Sequence, residues 1–251
     1  MPIPFLVVII GSLAMLNIKD AFNPPLLHAT LTTLLIGIPC SLGAYIAAKS
    51  YLLSGVRTLI LFGCGILTYG FTMTIGIWLL SPPGGINVGV TITNVGPLAA
   101  SVLFFVSALL ALTGAIPQAP IRRRSAAMLT YLGVLACLVF FTIITLQGAL
   151  PPFYVAGIGP TPMRQYVLST ATALFAVSSV IFMILYFKSR PSILYWCSLS
   201  LALITLGLLA WLLQGATPSG SPIIWTGRVA QYLGGIYFLI AVLTARGTST
   251  S

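Results

Sequence analysis

The sequence predicts an all-α, polytopic membrane helix bundle of seven transmembrane helices behind a short apolar N-terminal segment. Three observations carry that expectation. Hydrophobic residues make up 59% of the chain and charged residues only 5%, where a soluble domain holds about 25% charged residues. Mean hydropathy is +1.11. The apolar residues also gather into runs long enough to cross a hydrocarbon core of about 30 Å, and in lipid such runs satisfy their backbone only as helices.

Residues 1–21 form the first unit. Phe5 to Ile18 is apolar but covers only half to two-thirds of a span that needs roughly 20 residues. It has no basic leader and no obvious small-residue cleavage site. A removable signal peptide, a short anchor and a helix lying at the outer surface all stay open. Lys19 and Asp20 end the run.

Residues 22–246 form the seven-helix domain, followed by a cytoplasmic tail at 247–251. The spans are expected over about Pro24–Tyr51, Arg57–Leu80, Asn94–Leu112 and Ser125–Leu146, then Pro162–Phe187, Ser192–Gln214 and Pro222–Thr244. Asn23-Pro24, Thr161-Pro162 and Ser221-Pro222 each pair a capping residue with a proline suited to the first helical position. Lys49, Arg57, Arg122, Arg123, Arg124, Lys188, Arg190 and Arg246 fall on one side. Lys19, Arg164 and Arg228 fall on the other. The positive-inside rule then places a multi-pass chain in the plasma membrane with the start of the first full span outside and the C-terminus cytoplasmic. The outer loops, Ser81–Gly89, Gln147–Pro162 and Gly215–Pro222, are the longer and Gly/Pro-rich ones, which divides recognition outside from output inside.

A faint repeat runs through the chain. Ala48-Lys49-Ser50 matches Phe187-Lys188-Ser189, Leu67-Thr68-Tyr69-Gly70 matches Ile204-Thr205-Leu206-Gly207, and Leu98-Ala99-Ala100 matches Leu233-Gly234-Gly235, at offsets of 139, 137 and 135. Copies four spans apart point the same way, which gives a parallel three-plus-one-plus-three arrangement with the fourth span as linker. Chance matching of apolar sequence is the competing account.

Composition excludes several functions. Eleven Lys/Arg set against a single acid are too sparse for a nucleic-acid surface. Cys40, Cys64, Cys137 and Cys197 lie singly in apolar runs without CxxC spacing, as packing residues do. One histidine cannot make a bis-histidine haem site. No paired carboxylates, phosphate-binding glycine loop or carboxylate-based proton relay can be assembled, and the last span has no lysine for a retinal Schiff base. No catalytic residue, metal or cofactor is expected, and the chain reads as a non-enzyme.

The last span carries the candidate site. Arg228, Gln231, Tyr232 and Gly235 fall at i, i+3, i+4 and i+7 and share one helix face. A guanidinium facing lipid is costly, so this face looks into the bundle unless Arg228 snorkels to headgroups. With Asp20 the only carboxylate, Arg228 needs carbonyls, amides, a lipid phosphate or an anionic ligand. Gln231 and Tyr232 serve either that ligand or interhelical bonds, and Gly234-Gly235 permits close packing. Asn87, Thr91 and Asn94 gather at the outer mouth, either on one helical face or in an extended segment whose β-branched alternation favours it. Thr93 reads as a helix cap. His28 in the first outer turn is a lone histidine, a pH-responsive group or an interfacial one. Arg164, Gln165 and Tyr166, with Tyr154 and Trp225, complete a polar-aromatic rim or serve as interfacial anchors.

Phe22-Asn23-Pro24-Pro25-Leu26-Leu27, Ala47-Ala48-Lys49-Ser50-Tyr51, Asn87-Val88-Gly89-Val90-Thr91-Ile92-Thr93-Asn94 and Gly227-Arg228-Val229-Ala230-Gln231-Tyr232-Leu233-Gly234-Gly235 resemble the multi-span, membrane-associated sensor modules. Those modules stand N-terminal to PAS, histidine-kinase or diguanylate-cyclase regions in two-component and related systems. The resemblance runs from Phe22 to Ala245. It implies an input device whose last span continues into a cytoplasmic signalling helix; here Ser251 follows without such a region, so the expected output is a separate partner or a longer protein.

The expected function is therefore an integral-membrane sensor that binds a small, lipophilic or anionic ligand, or senses membrane state, at an outer pocket. It transmits through the seventh helix to a cytoplasmic partner. The expected partners are the bilayer, that ligand and a signalling domain, with a homodimer as one assembly and no nucleic acid. The alternatives are a small facilitator of three-plus-one-plus-three build and a non-catalytic subunit of a larger membrane complex.

Overall fold

The computed structural model describes residues 2–16, 18, 22–24, 26–80, 85–114, 120–155, 158–213 and 220–247, with only the backbone at 120, 121 and 245–247. Lys19, Asp20, Pro25, residues 81–84, Gln214, residues 215–219, the Arg246 side chain and most of the tail lie outside the described residues.

Helix α1 covers Pro2–Leu16, and α2 covers Leu27–Ser54. Next come α3 (Arg57–Leu79), α4 (Gly85–Leu112) and α5 (Pro120–Leu146). A two-residue ladder pairs β1 (Tyr154–Val155) with β2 (Gly159–Pro160) before α6 (Pro162–Ser189), α7 (Ser192–Leu213) and α8 (Pro222–Gly247). Seven of these, α2 to α8, are long and apolar enough to cross a membrane. The chain is a polytopic membrane helix bundle.

Several boundaries differ from the sequence expectation for stated reasons. The first span starts at Leu27, after Leu26 in the left-handed region at φ 64°, so Asn23-Pro24 does not start it. Pro162 and Pro222 do open α6 and α8. Neither preceding residue caps with its side chain, however: the Thr161 hydroxyl donates to Pro152 O at 2.9 Å instead, and Ser221 Oγ bonds nothing among the described residues. The third span starts at Gly85 rather than Asn94. Residues 87–94 are helical and not extended, because a backbone inside the bilayer must bond within its own segment whatever its β propensity. Thr93 is then no cap: its hydroxyl bonds back to Gly89 O at 2.8 Å.

Pro39 has no N–H to give to the Leu35 carbonyl. The helix answers with a π turn over Thr33–Gly37, where Ile38 N–H reaches back to Thr33 O. Trp78 Nε1 fixes that turn by donating to Thr33 Oγ1 at 2.9 Å. At the other end of α2, Gly55 closes the helix at φ 74° and Arg123 donates to Leu53 O at 2.6 Å. Tyr131 donates to Ala44 O, so α5 is tied to α2 twice.

Six helices close a ring in the order α2, α3, α4, α6, α7, α8 and back to α2. The pairs α3–α4 and α7–α8 use the same device. An added Cβ at Gly89 would sit 2.6 Å from Gly76 O, and one at Gly207 would sit 2.8 Å from Gly227 O, so both crossings are backbone-close. Ser179 and Ser198 exchange hydroxyl-to-carbonyl bonds of 2.8 Å between α6 and α7. Outside the ring, α5 lies on α2, α3 and α4, while α1 lies on α7 and α8. The three-plus-one-plus-three order is present as an arrangement of neighbours, with α5 packed on the first trio and α1 on the second. Leu6 packs on Leu203 and Ala230, and Ile10 on Ala210 and Ile223, so α1 runs along the bundle flank rather than flat on a surface.

Helices α2, α4, α6 and α8 start at one end of the bundle, called here the cavity end. The opposite, basic end carries Lys49, Arg57, Arg122–Arg124, Lys188 and Arg190. Between them the ring is filled with aromatic side chains. Phe104 stacks on Phe238 at 5.1 Å and 11°, while Phe62 meets Phe104, Phe182 and Phe238 edge-on.

Candidate functional site

The α8 face read from the sequence points into the ring. Arg228 is 2% exposed and Gln231 is 2% exposed. The guanidinium of Arg228 lies over the Trp225 ring at 4.6 Å and the Trp211 ring at 5.8 Å, so it does not reach out to headgroups. Trp225 is held in turn: its Nε1 donates to Phe22 O at 2.6 Å, and Phe22 N donates to Gly220 O at 3.0 Å. The segment before α2 is thereby stitched to the start of α8.

Arg164, in the first turn of α6, places its guanidinium 5.8 Å from the centroid of the same ring, Trp211. Two cations therefore lie within about 12 Å of each other around one indole. At that separation and an effective dielectric of about 20, their repulsion is roughly 1.4 kcal/mol, and a drier surrounding raises it.

His28 Nδ1 sits 3.0 Å from Tyr232 Oη and 3.2 Å from Thr32 Oγ1. Nε2 is buried with no hydrogen-bond partner among the described residues, and it is a donor in the tautomer whose Nδ1 accepts from the Tyr232 hydroxyl. Arg164 Nε is likewise buried without a hydrogen-bond partner among the described residues. Gln231 places its buried side-chain amide beside them.

These groups converge on a cavity of about 60 Å³ at this end of the ring. Its polar wall is His28, Thr93, Asn94, Arg164, Trp211 and Gln231. Its apolar wall includes Met73, Ile77, Leu168 and Leu208. All six ring helices contribute. One water needs about 10–15 Å³ on this measure, so the cavity holds about four to six atoms of that size.

Of the residues singled out from the sequence, His28, Asn94, Arg164 and Gln231 reach the cavity wall. Arg228, Tyr232 and Trp225 stand directly behind it. Asn87 and Thr91 lie away from it. Asn87 Oδ1 accepts from Phe153 N at 2.8 Å and Tyr154 N at 3.1 Å, which anchors the β1–β2 loop on α4. Thr91 bonds its own helix at Asn87 O. Tyr166 is 72% exposed, which places it outside the rim. Asn94 spends its Nδ2 donor on Val90 O at 2.5 Å while lining the cavity.

Sequence reading missed Trp211, the ring both arginines share. A lone tryptophan near a span end looks like an interfacial anchor, and only the packing of α6 and α8 against it says otherwise. Among the described residues no three His, Cys, Asp or Glu side chains converge on a metal-sized site. No protein-family model matches the chain, and no curated protein or solved structure matches it either.

Proposed function

We propose that the chain is a membrane-embedded, non-catalytic sensor module of the kind its Asn87–Asn94 and Gly227–Gly235 stretches resemble. The cavity end faces outward and the C-terminal end of α8 faces the cytoplasm, following the loop charges. A small ligand enters the cavity, biases the seat of α8 against α2, and the basic end of α8 passes that bias to a cytoplasmic partner. The observation that carries this reading is the cavity wall itself: every helix of the ring lines it, with α8 represented by the buried amide of Gln231. An occupant with different affinity for two seats of α8 shifts their populations, and one without such a difference shifts nothing.

The facilitator reading is favoured by one observation, the parallel order of the two trios, which transporters also use. Against it, the Phe62, Phe104 and Phe238 rings fill the bundle between the cavity and the basic end.

The coupling is tested without a known ligand by filling the cavity. Val90 lines it from α4 and is only half-buried. In a cysteine-free background, spin labels at Leu53 and Leu243 report the spacing of the basic ends of α2 and α8. Val90→Phe is expected to move that distance distribution by about 2 Å or more, the scale of helix shifts in switching proteins. An unchanged distribution, in a variant that melts like the parent, removes the coupling. Solute flux through proteoliposomes would transfer the assignment to the facilitator.

A further inference from the structure

We infer that the cavity takes a short-chain monocarboxylate of about two to four carbons, bound through Arg164 and the Nε2 donor of His28 with its alkyl part against Met73, Leu168 and Leu208. This rests on the proposed ligand-binding reading and narrows it to a chemical class.

Three observations lead there independently. The first is charge. Arg164 brings a positive charge to the cavity wall, against the Trp211 indole. An anion beside that guanidinium gains a charge-assisted contact that no neutral solute can make. The second is the set of donors. Arg164 Nε and His28 Nε2 are buried without hydrogen-bond partners among the described residues, and both residues line the cavity. An unmade bond of this kind is costly, and a carboxylate accepts two donors at once. The third is size and polarity. A volume of about 60 Å³ accommodates about four to six water-sized atoms, the heavy-atom count from acetate to butyrate. Half of the wall is aliphatic or thioether, which disfavours nitrate, phosphate or sulfate, anions with no apolar surface to bury.

A carboxylate could also come from the head of an anionic lipid reaching down between helices. The free solute is favoured because the six-helix ring encloses the cavity wall, and the experiment separates the two. The purified full chain is placed in phosphatidylcholine nanodiscs and titrated with sodium acetate, propionate, butyrate and hexanoate. Tryptophan emission is followed, because Trp211 and Trp225 flank the arginines. Sodium chloride and propionamide, the neutral isostere, serve as controls.

Propionate is expected to give a saturable change, with hexanoate and propionamide at least about tenfold weaker and chloride without effect. Arg164→Gln is expected to lose at least about tenfold in propionate affinity, since it removes a charge-assisted contact. Arg164→Lys keeps the charge and is expected to retain binding within about tenfold, which separates loss of the contact from loss of the fold. Propionamide binding as well as propionate overturns the carboxylate assignment while leaving the pocket intact. No saturable response to any of the four acids overturns it too, and the spin-label result with Val90→Phe then tells whether the pocket reading falls with it. A change on moving the protein to phosphatidylserine nanodiscs without added acid, competed by propionate, assigns the site to a lipid headgroup and overturns the free solute.

Discussion

The two trios of the ring meet at two junctions, α8 on α2 and α4 on α6, and the junctions are built differently. Where α8 meets α2 the contact is polar and backbone-close. Tyr232 Oη and His28 Nδ1 bond across it at 3.0 Å, and the Gly235 Cα faces the π turn of α2, with an added Cβ only 2.5 Å from Leu35 O. Where α4 meets α6, no side-chain hydrogen bond crosses among the described residues, and Phe104 packs on Phe175 at 5.9 Å. Lipid tails are as apolar as phenylalanine, so the second junction depends on fit alone. The first adds hydrogen bonds and an interrupted helix, features that have discrete alternatives. The two trios thus meet at one apolar seam and one polar, backbone-close seam, and the cavity lies between them.

The largest expected effect tests the apolar seam. Phe104 is fully buried and touches Phe62, Phe175 and Phe238. Phe104→Ala should cost about 3–5 kcal/mol, the range for deleting a buried aromatic ring, read as loss of unfolding free energy in detergent. A loss below about 1 kcal/mol would mean that the rings are not what holds α4 to α6. Next is Gly235→Ala at the polar seam. Its methyl would meet Leu35 O at 2.5 Å and Ile36 Cα at 3.1 Å, both backbone atoms that cannot rotate away. The expected cost is about 1–3 kcal/mol, as for overpacking in a close-packed interior. Gly133→Ala, with nothing within 4 Å of the added methyl, is the matched control and should be neutral or slightly stabilising.

Much of this architecture is legible in the sequence because a bilayer leaves few choices. Run length alone places α3, α6, α7 and α8 to within a few residues, and the helical spacing of Arg228, Gln231 and Tyr232 turns them inward together. The misses have physical causes. Val88 to Thr93 alternates like a strand, a pattern that decides structure where water can satisfy a backbone but not where lipid surrounds it. Pro39 signals a local break, yet only the arrival of Gly235 opposite Leu35 explains why the break is a π turn kept in the bundle. Asn87 looked like a ligand group until the loop amides of Phe153 and Tyr154 claimed its oxygen. The order of the ring, with α5 outside it, depends on which faces meet, and apolar sequence hardly encodes that.

The smaller effects bear on the polar seam itself. Tyr232→Phe removes the bond to His28 but keeps the ring. Interhelical bonds in membranes average about 0.6 kcal/mol and reach about 1.7 kcal/mol, so the expected stability loss lies in that range. It should be smaller than that of Gly235→Ala, because the backbone contact is steric while the hydroxyl bond has Thr32 as a standby partner for His28 at 3.2 Å.

Asn94→Ala is expected to do least to stability. The Asn94 amide spends its donor on Val90 O of its own helix, so removing it frees a carbonyl near the cavity and severs nothing between helices. A loss of about 0.5 kcal/mol or less by chemical unfolding fits a side chain whose bond is local. Asn94 reaches the cavity wall from α4 while Tyr232 stands behind it on α8. If the α4–α6 junction is passive, Asn94→Ala should leave the Leu53–Leu243 label distance unchanged, whereas Tyr232→Phe should broaden it by loosening α8 from α2. The reverse pattern, a broadened distribution in the Asn94 variant alone, would make the α4 seam the yielding one and invert the comparison.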